Sequence, residues 1–214
     1  MPDFGRLLQG ARERYEDGER RLPEDPDARQ RQLTRMGNAA GAAGLCALMA
    51  GEDGREWFVR AAERYRQSWD GAPAGSWGRP IGALKARLLA GDWEGAAVEA
   101  RWTLEVGAAE SESPIARYAA ALACLVLGNW SEARVHADAA RTSAEFPGAV
   151  ADALAFIAAE DVVGYVEAVE EVLESFETRT EYLEDVPVAD TVLVLQALAG
   201  RRGMAAQLES PLLP

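Results

Sequence analysis

Apolar and polar positions along this chain alternate with the period of an α-helix almost from end to end. Phe4, Leu7, Leu8, Ala11 and Tyr15 fall at i, i+3, i+4, i+7 and i+11, which places them on one helical stripe. Phe58, Ala61, Ala62, Tyr65 and Trp69 repeat that spacing. Val162, Val166, Val169, Leu173 and Phe176 form a third stripe, with Glu167, Glu170, Glu171, Glu174 and Glu177 on the other faces. Chain breakers separate the stripes: Pro23 and Pro26, the stretch Asp70–Pro80, Gly91-Asp92, Ser111–Pro114, Gly128-Asn129, Pro147-Gly148 and Val186-Pro187. Ser113-Pro114 reads as an N-cap followed by proline at the first helical position. The pattern predicts about ten helices joined by short turns, and no strand.

Composition points the same way. The chain has 42 Ala but only 3 Ile and 6 Thr, so the best helix former abounds while strand-favouring β-branched residues are scarce. The expected fold is all-α, with the helices in antiparallel hairpins. It is read as one domain over 1–214, with N-terminal helices in 1–51, hairpins in 52–180 and a capping helix and tail in 181–214. The uncharged run Met36–Gly51 is too short and too weakly apolar to span a bilayer. It reads instead as a helix packed closely through small residues.

An internal repeat adds detail. LLAGDWEGAAVEA (88–100) aligns with LVLGNWSEARVHA (125–137), so that Gly91, Trp93, Ala96 and Ala100 fall on Gly128, Trp130, Ala133 and Ala137. VVGYVEAVEEV (162–172) reads as a third copy with Tyr165 in the tryptophan place, and Trp57 opens a fourth. The rings at 57, 93, 130 and 165 are then 36, 37 and 35 residues apart, a period expected of stacked helical hairpins. All four are expected at equivalent, mostly buried places. Gly91-Asp92-Trp93-x-x-Ala96 and Gly128-Asn129-Trp130-x-x-Ala133 resemble the turn and second-helix start of a tetratricopeptide repeat. That likeness covers about 50–180 and implies a right-handed α-solenoid. It departs from the family in lacking its Trp and Leu-Gly pattern in the first helix of each unit, and in its longer spacing. Val188–Pro214 resembles the end of some all-α immunity proteins of polymorphic toxin systems.

Charge then narrows the partners. Asp and Glu number 35 against 22 Lys and Arg, a net charge of −13, which argues against phosphate-neutralising nucleic-acid binding and against anionic membranes. Of the basic residues, 21 are Arg and Lys85 is the single Lys. This balance resembles that of proteins from salt-loving archaea, whose surface carboxylates keep the fold soluble in concentrated salt. The segment MPDFGRLLQGARERYEDGERR carries charge throughout and has no apolar core, so no signal peptide is expected and a cytoplasmic location is. Cys46 and Cys124 stand among apolar residues and read as buried structural thiols in a reducing compartment.

Little in the sequence suggests catalysis. The single histidine, His136, allows no multi-histidine metal site. Glu132 stands one turn before it, which permits a carboxylate–imidazole pair. Glu167, Glu171 and Glu174 at i, i+4 and i+7 could hold a cation, but read as a solvated face. Gly71–Gly78 lacks the ending of a phosphate loop. No catalytic, cofactor-binding or metal residue is therefore assigned, and no cofactor is expected. What remains is aromatic surface: Trp69 and Trp77 bracket the loop DGAPAGS, and Trp102 follows Arg101. These three are the candidate anchors for a protein or peptide partner; Trp69 and Trp77 read alternatively as rings that clamp the loop onto the helices, and Trp102 could face either way. The expected function is a non-enzymatic interaction module, a scaffold or adaptor. Toxin neutralisation by an immunity protein and a carboxylate-based enzyme are the alternatives.

Overall fold

A computed structural model describes residues 2–214. Among them the chain is all-α, with ten α-helices, one 3₁₀ turn and no strand. The helices group into two compact units. The first comprises the chain up to Asp92 with Arg179–Val188 and Ser210–Pro214; the second comprises Trp93–Thr178 with Ala189–Glu209. The border falls inside the repeated motif.

In the first unit α1 (Phe4–Arg20), α2 (Pro26–Met49), α3 (Arg55–Gln67) and α4 (Gly78–Leu89) each pack on the next, and α2 also meets the 3₁₀ turn Leu183–Asp185. Asp3 starts α1 by accepting from the Arg6 N–H at 3.0 Å, and Asp25 starts α2 through Ala28 at 2.8 Å. The stripe of α1 buries Phe4, Leu8, Ala11 and Tyr15. The small-residue run lies at the C-terminal end of α2, where Gly37 and Gly44, two turns apart, receive the rings of Tyr65 and Phe58. A Cβ at Gly44 would stand 2.6 Å from a Phe58 ring carbon. Close packing through small residues is thus how α2 and α3 meet, and it buries Phe58 to 2% exposure, a gain of about 1.5–3 kcal/mol.

The second unit runs through α5 (Trp93–Glu105), α6 (Pro114–Leu127), α7 (Trp130–Arg141), α8 (Gly148–Ala159), α9 (Val162–Glu177) and α10 (Asp190–Gly200). Each of α5 to α9 packs on its successor, α6 also touches α8, and α10 lies against α8 and α9. Ser113 does occupy the N-cap of α6 ahead of Pro114, but its side chain makes no capping bond.

Helix ends repeat more faithfully than rings. After α2, α4, α6 and α8 a residue with positive φ closes the helix: Gly51 (75°), Gly91 (68°), Gly128 (77°) and Glu160 (57°). Each makes the same pair of backbone bonds. Gly128 N–H donates to Leu125 O at 3.3 Å and Asn129 N–H to Cys124 O at 2.9 Å, as Gly91 does to Leu88 and Asp92 to Arg87, both at 3.0 Å. These bonds satisfy carbonyls that the helix leaves open.

The turns correct the expected aromatic register. Asp161 follows the αL residue Glu160 as Asn129 follows Gly128, so Val162 stands where Trp130 stands. Tyr165 lies three residues further on, at the place of the fully buried Ala133. Its ring is in the core and its hydroxyl donates to Gln196 Oε1 at 2.7 Å. Trp57 and Trp93 are half-buried, and Trp130 is 38% exposed. The four rings therefore share no common buried place. Val162, assigned to the α9 stripe, is 48% exposed for the same reason. Trp93 and Trp130 are covered instead by arginines from the turn after α10. The guanidinium of Arg201 lies 4.4 Å from the Trp93 ring centre, and that of Arg202 lies 4.1 Å from the Trp130 ring centre. Arg202 also donates to Ile157 O at 2.6 Å and Ala158 O at 2.8 Å, capping α8.

Candidate functional site

The tryptophans bracketing the loop pack on one another. Trp69 follows the end of α3, Trp77 is the N-cap residue of α4, and their ring centres are 5.7 Å apart at 41°. The loop between them turns through Gly71 and Gly75, both at positive φ, with Ala72 N–H bonded to Trp69 O at 2.9 Å. Trp77 is 9% exposed and Trp102 only 7%. Of the three expected anchors, Trp69 alone keeps an appreciable part of its surface in reach of a partner.

His136 meets Arg117 rather than Glu132. Arg117 Nη1 lies 3.3 Å from His136 Nδ1 and donates to Ala109 O at 2.5 Å. Burial first, and the Arg117 charge second, hold the imidazole below its ordinary pKa. Glu167, Glu171 and Glu174 are all exposed on α9, and among the described residues no three His, Cys, Asp or Glu converge as metal ligands. Cys46 and Cys124 are buried free thiols, and burial pushes both up to about 11.

The first unit holds a cavity of about 650 Å³ where α2 and α4 end and α3 begins. Leu48, Phe58, Leu89 and Ala90 give it apolar walls, and Gly51, Gly54 and Gly91 bring backbone to its surface. Its charged groups are Glu52, Asp53 and Arg55, all exposed. Asp53 Oδ1 accepts from the Arg55 N–H at 2.9 Å and stands 3.6 Å from Arg55 Nε. Asp53 thereby meets the positive end of α3 while Arg55 meets Asp53. Glu52 has a looser companion, Arg12, at 3.9 Å. Arg12 also lies over the Trp57 ring, which Tyr15 meets edge-on and Arg60 covers at 4.7 Å.

No family model, curated protein or solved structure matches this chain. The site is accordingly read from its own residues.

Sequence reasoning missed this cavity, because its lining comes from two stretches about 40 positions apart and no motif joins them. A signal was present. Gly51-Glu52-Asp53-Gly54 places two carboxylates between glycines at a helix end, and Gly91 repeats the turn.

Proposed function

We propose that this chain is a non-catalytic protein-interaction module of a salt-adapted prokaryote, built from tetratricopeptide-like hairpins. The cavity between α2, α3 and α4 is the observation that carries this reading. Its lining joins apolar walls to charged groups on exposed turns. Such a mixture holds a partner's side chain and fixes its orientation. The tetratricopeptide-like part is supported by the recurring helix-end turn and by Ala96, Ala100, Ala133 and Ala137, all fully buried at matching repeat places. The acidic, lysine-poor surface supports the salt-adapted part.

Affinity capture by the tagged full-length chain, from an extract of its own cells at their own salt, tests the reading. The expected result is a protein retained in stoichiometric amount and competed off by untagged chain. Retention of background alone would count against it.

A further inference from the structure

We infer that the cavity between α2, α3 and α4 takes a basic side chain, an arginine, presented by a segment of the partner protein. This rests on the proposed interaction function and names the chemistry of its partner. The argument is one of charge and shape together. The C-terminal turns of α2 and α4 both end in the cavity wall, at Gly51 and Gly91. Each helix end carries about half a negative charge. The opposite end of α3 also reaches the cavity, but the Asp53 carboxylate already accepts from its Arg55 N–H. Arg55 in turn lies beside Asp53, so these two charges answer each other. Arg87, in the last turn of α4 and 2.9 Å from Asp92, answers the end of that helix, whereas α2 has no basic residue in its last turn. Left over are the negative end of α2 and Glu52, whose nearest cation is Arg12 at 3.9 Å.

Behind this negative rim the walls are hydrocarbon: Leu48, Phe58 and Leu89. An arginine matches both features, since its methylene stem covers apolar surface while the guanidinium stays at the polar edge. A carboxylate or phosphate would face Glu52 and the negative end of α2 instead. A purely apolar side chain would leave Glu52 without a new partner. The chain's net charge of −13 favours the approach of a basic segment over a long range.

The test is amide NMR of the full chain at about 0.15 M salt, titrated with the blocked pentapeptide Gly-Gly-Arg-Gly-Gly. A second pentapeptide carries citrulline, which keeps the shape of arginine and removes its charge. The arginine peptide should move the amide signals of Gly51, Gly54 and Gly91 at concentrations up to about 10 mM, the range expected of one anchored side chain. The citrulline peptide should leave them in place. Glu52→Gln, at an exposed position, should weaken the arginine peptide at least about threefold, a loss of about 0.7 kcal/mol, with its amide spectrum checked for the parent's fold. Equal shifts with citrulline, no shift with arginine, or undiminished binding by Glu52→Gln would overturn the inference. A captured partner that shifts the same glycines through a neutral segment would also remove the arginine, while leaving the interaction module standing.

Discussion

At the scale of single residues, surroundings decide what each candidate group can do. Trp77 is 9% exposed and packed against Trp69, so Trp77→Ala should lower stability by about 3–5 kcal/mol. Trp69→Ala, at a half-buried position, should cost clearly less. Urea unfolding of both variants measures the difference, and equal losses would contradict it. His136 gives a pH prediction. Its folded pKa is depressed, so the unfolded chain binds the proton more readily. Its contribution to stability is therefore present above the ordinary histidine value of about 6.5 and is lost as pH falls. The melting temperature of the parent should drop more between about pH 7.5 and pH 5.5 than that of His136→Gln. Parallel drops would exclude the effect. The partner of His136 was not legible beforehand. Arg117 lies on a different helix from His136, and adjacency in sequence had pointed to Glu132.

At the scale of elements, the sequence was most informative where backbone chemistry is local. Gly91-Asp92 and Gly128-Asn129 marked real helix ends, because a positive φ is costly for any residue with a Cβ. The packing of α2 was also legible, since a run of glycine and alanine has few other uses in a helix. The third repeat was misjudged by three residues. Matching aromatic to aromatic overlooked Glu160, a non-glycine residue at φ 57° that closes α8 in the same way. The arginine covers on Trp93 and Trp130 were invisible too, because Arg201 and Arg202 come from a turn far along the chain. The turn argument predicts that Gly128→Ala loses about 1–2 kcal/mol through the positive φ alone, as no atom but the Trp130 ring lies within 4 Å of the added Cβ. Ala→Gly changes at the fully buried Ala133 or Ala137 serve as the helix-interior comparison, at about 1 kcal/mol each for the backbone and about 0.8 kcal/mol more for the buried methyl. A Gly128→Ala variant as stable as the parent would remove the strain from the account.

At the scale of the whole molecule, charge and partner binding are the properties that matter. With a net charge of −13, surface carboxylates repel one another over a screening length of about 8 Å at 0.15 M salt and about 3 Å at 1 M. The melting temperature should rise clearly between those two concentrations. A flat or falling trend would withdraw the salt-adapted reading. Composition was enough to pose this question, and periodicity was enough to establish an all-α chain. The cavity was beyond both, since it exists only once three helix ends meet. No helix among the described residues is long and apolar enough to cross a membrane. Hydrogen–deuterium exchange on the chain alone and in complex with its captured partner tests the central claim most directly. The account predicts slowed exchange in residues 48–58 and 89–91, around the ends of α2 and α4 and the start of α3. A partner whose footprint lies elsewhere and leaves those two stretches unchanged would contradict it.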